Sequence, residues 1–181
     1  VLDYGIDNTG NDDISDKLNT LINLVESFGG GNILFPIGTY KVLNSIILKP
    51  HVHLVGSMPW RGKDVGGYSM FNCYSMNSPQ FLLREYTGLK NFYFNYPEQG
   101  NTVATLKEYD WLISTDVNHL CDDVQLSDLY FPNAYKGMSI VRSGRYNISN
   151  IYGNPIKKGL YIDQNFDVGN IDRVEFWTFT Y

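Results

Sequence analysis

The segment Leu126-Ser127-Asp128-Leu129-Tyr130 decides the fold of this chain, because it repeats. It returns as Ile148-Ser149-Asn150-Ile151-Tyr152 and again as Ile171-Asp172-Arg173-Val174-Glu175. Gly137 and Ile140 return at the same spacing, as Gly159 and Ile162. Repeats of about 22 residues are typical of solenoids, in which each unit buries its apolar side only by stacking on its neighbours.

The content of each repeat favours strands over helices. Apolar residues recur in short runs without a helical period. The Leu-x-x-Leu-x-Leu run followed by Asn that marks a leucine-rich repeat is missing. We therefore predict an all-β fold, a parallel β-helix. In that fold Arg173 lies above Asn150 and Asp128, so we expect a polar ladder along the solenoid.

The composition of the rest of the chain agrees with a β-rich protein. Its 181 residues include 17 Gly, 14 Tyr and 10 Phe, which favour tight turns and strands. The 14 basic and 19 acidic side chains give a net charge of −5, which argues against a nucleic-acid partner. No apolar run approaches the roughly 20 residues that span a bilayer, so we expect no membrane partner.

The N-terminal part of the chain, up to Val55, contains one helix and four short strands in the predicted pattern. Asp12 and Asp13 are good N-cap residues, and Gly29-Gly30-Gly31 can end a helix, so we predict a helix over 14–27. The predicted strands, separated by Pro and Gly, are Asn32–Phe35, Thr39–Val42, Ser45–Lys49 and Val52–Val55.

Several of these N-terminal motifs resemble one protein family. They are Asp3-Tyr4-Gly5, Gly10-Asn11-Asp12-Asp13, the segment from Gly29 to Pro36, Gly38-Thr39-Tyr40 and the strand around His51–Gly56. Together they resemble the N-terminal signature of the pectate lyase superfamily, whose members include glycosidases, other polysaccharide-processing proteins and phage tailspike depolymerases. Residues 95–99 and 147–172 are similar to a bacterial, glycosidase-related subgroup of that family.

The resemblance implies a right-handed parallel β-helix in which helix 14–27 caps the N-terminal end. It also implies that residues 1–181 form a single domain that is the N-terminal part of a longer β-helix. A physical argument points the same way, because the aromatic segment Phe176–Tyr181 has no helix or charged cap behind it. An open β-helix end presents unpaired strand edges, so we expect either more chain or a partner there.

Candidate catalytic residues lie in the stretch that most resembles the glycosidase-related subgroup. Glycosidases usually use a pair of carboxylates, and this stretch offers Asp163, Asp167 and Glu175. Phe166 and Trp177 could provide an aromatic platform for a sugar ring. The alternative is that Asp163 and Asp167 only shape a corner, since Asp is a common turn residue.

Other polar residues are weaker candidates. Arg142 and Arg145 could pair with the carboxylate of an acidic sugar, or could belong to the surface ladder. Ser114-Thr115-Asp116 followed by Asp122-Asp123 is similar to a polygalacturonase motif, but the two elements are too close in sequence, which favours a solvated turn. His51 and His53 alternate on one strand without a third ligand nearby, and no dense acidic cluster indicates a calcium site. We expect neither a metal nor a cofactor.

Three functions fit this sequence. The first is a secreted or cell-surface glycoside hydrolase or polysaccharide lyase that acts on a complex polysaccharide. The second is a tailspike-like glycan-binding adhesin or depolymerase on a virion, which we would expect to be a homotrimer. The third is a structural β-helix without catalysis. A polysaccharide is the expected partner in the first two, and the sequence does not separate hydrolase from lyase.

Overall fold

The fold was determined as a computed structural model, in which residues 1–57 and 67–177 are described. One α-helix, α1, spans Ser15–Ser27. The strands are β1 Thr9–Asp13, β2 Gly31–Leu34, β3 Gly38–Val42, β4 Ile46–Ile47, β5 Val52–Val55, β6 Ser69–Cys73, β7 Phe81–Leu83, β8 Gly88–Asn95, β9 Trp111–Thr115, β10 Gln125–Phe131, β11 Lys136–Val141, β12 Asn147–Gly153, β13 Lys158–Asp163 and β14 Asn170–Phe176.

The strands stack in parallel on three faces of a solenoid, which confirms the predicted β-helix. Face 1 contains β2, β5 and the first halves of β8, β10, β12 and β14. Face 2 contains β1, β3, β6 and the second halves of the same four long strands. Face 3 is a separate sheet in the order β13-β11-β9-β7-β4.

A single residue bends each long strand from face 1 to face 2. Asn91, Asp128, Asn150 and Arg173 occupy this bend, with φ angles of 62°, 57°, 55° and 51°. Asn and Asp tolerate this left-handed conformation better than most residues. The Asn150 side chain donates a hydrogen bond of 2.9 Å to Asp128, so the predicted polar ladder is confirmed for this pair.

The strand register confirms the repeat. Leu126 pairs with Ile148, which pairs with Ile171, and Leu129, Ile151 and Val174 form the neighbouring column. Leu126, Leu129, Ile148 and Ile151 are fully buried. Ile171 is 42% exposed, because no further coil covers the last one among the described residues. Residues 178–181, the last part of the aromatic segment at the expected open end, lie outside the described residues.

The repeated glycines make room for an aromatic side chain at the corner between faces 2 and 3. A Cβ atom on Gly153 would lie 2.5 Å from the Phe131 carbonyl oxygen. A Cβ atom on Gly137 would collide with the carbonyl oxygen of Gly159. Phe131 is completely buried beside them. Adjacent coils therefore approach more closely here than any side chain would allow.

Helix α1 covers the N-terminal end of the core, as predicted. Its buried residues Leu18, Leu21 and Ile22 belong to the same apolar cluster as the strands. The helix begins at Ser15, one residue later than predicted, because Ile14 is its N-cap and the Asp13 carboxylate accepts hydrogen bonds from the amide and hydroxyl of Ser15. No helix among the described residues is long and apolar enough to cross a membrane.

The predicted strand positions were right, and their lengths differ slightly. Val52–Val55 is found as predicted. The strands predicted at Asn32–Phe35 and Thr39–Val42 each begin one residue earlier, at Gly31 and Gly38. The strand predicted over Ser45–Lys49 is reduced to Ile46–Ile47, which pairs with Phe81 and Leu82.

Replacement of Gly153 by Ala tests the close approach of the coils. Because the new Cβ would meet a backbone oxygen, we expect the free energy of unfolding to fall by about 1–3 kcal/mol in urea denaturation. Ser149→Ala is the matched control in the same strand, since Ser149 faces outward and should change stability by less than about 0.5 kcal/mol. Equal stability of the two variants would contradict the packing argument.

The loop before β1 should contribute a pH-dependent stabilisation. Asp7 accepts hydrogen bonds from the Thr9 hydroxyl and from the amides of Thr9, Asn11 and Asp12. These bonds, that from the hydroxyl above all, lower the pKa of Asp7 to about 2. Because the folded pKa lies below the unfolded value of about 3.9, the stabilisation is present above that value and is lost as the pH falls towards 2.

Asp7→Asn should therefore melt at a lower temperature than the parent at pH 6, and the two curves should converge as the pH approaches 2. Asp12→Asn is the control, because among the described residues the Asp12 side chain accepts no hydrogen bond. A constant difference in melting temperature across the pH range would be evidence against this linkage.

Candidate functional site

Long connections flank face 3 at its central strand. Residues 96–110 precede β9 and residues 116–124 follow it, whereas the matching connections around β11 are only 132–135 and 142–146. The first of these loops is tied together by a 2.6 Å ion pair between Lys107 and Glu98 and by packing of Tyr96 on Tyr109. Loops that stand beside an exposed sheet are a common place for binding residues.

Small side chains and two aromatic rings form the outer surface of face 3. Ser114, Ser139 and Tyr161 are register neighbours on β9, β11 and β13. Ser139 is only 4% exposed although it points away from the core. The rings of Trp111 and Tyr161 have centroids 6.0 Å apart and planes 24° apart. This surface can receive the apolar side of a sugar ring.

Charged groups surround the two rings. Lys136 lies 5.6 Å from the centre of the Trp111 ring and 3.0 Å from a carboxylate oxygen of Asp110. Lys158 lies 5.1 Å from the centre of the Tyr161 ring. The Tyr161 hydroxyl donates a 2.9 Å hydrogen bond to Asp163, and this bond raises the pKa of Tyr161. We call Trp111, Lys136, Lys158, Tyr161 and Asp163 the face 3 site.

A second carboxylate lies on the same edge of face 3, directly after β9. Asp116 is 6% exposed and lies 2.9 Å from Arg84 Nε and 3.7 Å from His119 Nε2. Strand β11 separates β9 from β13, so Asp116 and Asp163 are two coils apart. At about 4.8 Å per coil this corresponds to about 9.6 Å along the solenoid.

Arg145 binds three carboxylates at the corner between faces 3 and 1. It lies 2.9 Å from Asp122, 3.2 Å from Asp123 and 2.9 Å from Asp167. These partners raise the pKa of Arg145 above its ordinary value, and Asp123 has the largest effect. The Val168 amide and Arg145 lower the pKa of Asp167. Asp122 and Asp123 thus form more than the solvated turn that we expected, since they anchor a guanidinium.

The predicted substrate-binding residues are dispersed around the solenoid. Phe166 is 55% exposed and its ring lies close to Gly144, next to the corner that Arg145 occupies. Arg142 donates a hydrogen bond of 3.0 Å to the Val117 carbonyl oxygen in the loop after β9. Trp177 stacks on Tyr152, with centroids 6.3 Å apart.

The three predicted catalytic carboxylates also point in different directions. Asp163 faces outward at the end of face 3, and Asp167 is in the corner with Arg145. Glu175 projects from face 2, because its neighbours Val174 and Phe176 pack on the core. The structure thus brings Asp163 together with Trp111 and Tyr161 and not with Glu175.

Sequence reasoning missed most of the face 3 site. Lys136 and Lys158 occupy the same position in successive repeats and pair in register, so the repeat could have revealed them as one column. Trp111 pairs with Lys136 across a longer stretch of sequence, and the loop 116–124 hides this relation.

The imidazole of His51 stacks on Tyr86, with ring centroids 4.7 Å apart. Within the described ranges, no three His, Cys, Asp or Glu residues are grouped as metal ligands would be.

The fold places the chain in one class, the parallel β-helix proteins. Residues 1–78 match the family model described as "Rhamnogalacturonase A/epimerase, pectate lyase-like". The matched stretch contains the N-terminal motifs on which the predicted resemblance to the pectate lyase superfamily rests. In sequence comparison, no curated protein matches the chain significantly.

Solved structures with the same fold include enzymes and an adhesin. The A-module of the mannuronan C-5 epimerase AlgE4 from Azotobacter vinelandii has a TM-score of 0.69 at 13% identity, over 94% of this chain and 49% of that one. The exopolygalacturonase from Thermotoga maritima has a TM-score of 0.62 at 12% identity, over 98% and 53%. The Streptococcus pneumoniae surface adhesin PfbA has a TM-score of 0.60 at 18% identity, over 88% and 41%. The chain thus spans about half the length of these structures or less.

Replacement of Arg145 by Gln tests whether this residue holds the corner together. Without the guanidinium, three neighbouring carboxylates repel one another, so we expect the pKa of Asp167 to rise towards its ordinary value of 3.8. Titration of the carboxyl carbons by NMR would measure this shift. Arg173→Gln is the control, because Arg173 pairs with Asp172 instead. An unchanged Asp167 titration in Arg145→Gln would refute the anchoring role.

Proposed function

We propose that the face 3 site binds an acidic polysaccharide and that Asp163 takes part in cleaving its glycosidic bonds. The observation that carries the proposal is the hydrogen bond of 2.9 Å between Tyr161 and Asp163 beside the Trp111 ring. An aromatic surface, a proton-transferring pair and nearby cations meet the main requirements of a sugar-cleaving site. The similar epimerase and exopolygalacturonase structures support a carbohydrate ligand at the level of the fold.

The charges around the site favour a ligand that bears carboxylates. Lys136 and Lys158 occupy adjacent coils in register along the solenoid axis, and among the described residues Lys158 has no carboxylate partner, whereas Lys136 pairs with Asp110. A polysaccharide that runs parallel to this axis would place successive acidic groups near them. An ammonium group pairs well with carboxylate, and the net charge of −5 of the whole chain would oppose unspecific binding of the same polymer.

Asp116 and Asp163 are the carboxylate pair that best fits hydrolysis. Their separation of two coils, about 9.6 Å along the axis, lies just above the roughly 6.5–9.5 Å that inverting glycosidases use to admit a water molecule. In this proposal the exposed Asp163 carboxylate, which accepts a hydrogen bond from Tyr161, accepts the proton of the attacking water. Asp116, which is almost completely buried, protonates the leaving oxygen.

A surface adhesin without catalysis is the second candidate. It is favoured by the similarity to PfbA, a surface adhesin with the same fold. The face 3 site would then bind glycan without turnover. Either function would place the protein outside the cell, on a cell surface or on a virion.

The experiment uses the full-length protein with polygalacturonate and alginate as probes. Reducing-end formation reports cleavage, ultraviolet absorbance of an unsaturated sugar reports a lyase, and a change in sugar NMR signals without shorter chains reports an epimerase. If cleavage occurs, Asp163→Asn should lower kcat/KM at least about 100-fold, as expected for loss of a general base.

Glu175→Gln is the matched control, since Glu175 is an exposed carboxylate on face 2 and should leave turnover unchanged. Trp111→Ala should mainly raise KM, because the ring binds substrate without taking part in the proton transfer. Full activity of Asp163→Asn would overturn the assignment. Binding that Trp111→Ala weakens, without any turnover by the parent protein, would support the adhesin.

A further inference from the structure

Face 1 contains a polar notch that the face 3 site does not use. Its floor and sides are formed by residues of β2, β5, β8 and β10, and its volume is about 190 Å³. The polar side chains that line it are Asn32, His53, Lys90, Gln125 and Ser127. It lies on a different face of the solenoid from Trp111 and Asp163, so the two sites cannot share one sugar unit.

Gly88 creates the notch by interrupting a column of side chains. The column consists of the register neighbours Asn32, His53, Gly88, Gln125, Asn147 and Asn170. At one end of the column two adjacent amides bond to each other, since Asn170 donates a hydrogen bond of 3.0 Å to Asn147. At Gly88 no side chain is present, so His53 and Gln125 lose their neighbour in the column.

His53 leans into the space above Gly88. A Cβ atom at position 88 would lie 2.6 Å from His53 Nδ1 and 2.8 Å from the Gln125 carbonyl oxygen. Burial, together with the charge of His51, lowers the pKa of His53. Its imidazole is therefore uncharged at neutral pH and offers one hydrogen-bond donor and one acceptor.

The polar groups of the notch are free to bind a ligand. Within the described part of the chain, the side chains of Asn32, His53, Lys90, Gln125 and Ser127 make no hydrogen bond or ion pair. This contrasts with the neighbouring corner, where Arg145 alone has three partners. Unpaired donors and acceptors that converge on a concave surface are what a polar ligand requires.

The charge and size of the notch define the class of ligand. Lys90 is the single charged residue among those lining the notch, and no carboxylate is present to neutralise it. The remaining groups are amides, a hydroxyl and an imidazole, which suit sugar hydroxyls. A cavity of about 150 Å³ holds one benzene ring, so 190 Å³ can receive one sugar ring.

We propose that this notch is a second, non-catalytic binding site for one uronate unit, with the carboxylate on Lys90 and the hydroxyls on Asn32, His53 and Gln125. This inference rests on the proposed function only because it takes the ligand to be a sugar. A polysaccharide held at face 1 would remain attached to the protein while another part of it occupies face 3.

The test measures binding of D-galacturonate to the intact protein by saturation-transfer NMR, with D-galactose and acetate as comparison probes. We expect galacturonate to bind at least about tenfold more tightly than either probe, because each lacks one of the two recognised features. Lys90→Gln should weaken galacturonate binding about tenfold or more. Lys49→Gln is the matched control, because that lysine lies outside the notch and should have no effect.

Gly88→Ala provides a second, steric test, since the new methyl group displaces the His53 imidazole and should abolish binding. Its melting curve shows whether it folds, and the exposed Lys90 can be changed without that concern. In the Trp111→Ala background, where face 3 is disabled, galacturonate binding that survives both Lys90→Gln and Gly88→Ala would overturn the proposal. So would equal binding of acetate or of galactose.

Trp111→Ala separates this inference from the proposed function. If galacturonate binding is lost in Trp111→Ala and kept in Lys90→Gln, face 3 alone binds the sugar and the notch is refuted while the proposed function stands. If binding is lost in Lys90→Gln and kept in Trp111→Ala, the notch is supported whether or not face 3 cleaves a polysaccharide.

Discussion

Hydrogen bonding between parallel strands of successive coils is the constraint on which the rest of this structure depends. It places equivalent residues directly above one another at a spacing of about 4.8 Å, on all three faces. Inward positions must then be apolar in every coil, and Leu126, Ile148 and Ile171 show this column by column. Outward positions also form columns, so the chemical environment of a surface side chain is defined by the residues at the same position in the coils on either side.

These columns explain why some polar side chains bond to one another and others have no partner among the described residues. In the bend between faces 1 and 2, Asn150 bonds to Asp128, and the left-handed conformation there favours small polar residues. At the corner between faces 3 and 1, Arg145 is held by three carboxylates from neighbouring coils. Groups become available for ligands where a column is broken, by a glycine at position 88 or by the loops around β9.

Loops that interrupt the repeat determine where the candidate site lies. The connections 96–110 and 116–124 break the regular spacing of the repeats without disturbing the stack, because the extra residues leave the solenoid at its corners and return to the same register. Trp111 thereby aligns with Lys136 although more chain separates them than separates Lys136 from Lys158. A coil with longer loops has loops on both borders of the flat sheet, and this makes the sheet face a candidate binding site.

The sequence by itself determined the architecture, since the stacked register of the repeats and the polar column through Asp128, Asn150 and Arg173 follow from periodicity. The helix follows from its N-cap residues and its terminal glycines, and its capping position was implied by the family resemblance. The sequence also indicated Asp163, although the groups predicted beside it, Asp167 and Glu175, lie in the corner and on face 2. Periodicity reports which residues share a column and cannot report which face or corner a column occupies, because loop lengths and one-residue bends decide that. Only the tertiary structure placed Tyr161 and Asp163 beside Trp111, and only the stacking of unequally spaced coils gathered Asn32, His53, Lys90 and Gln125 around Gly88.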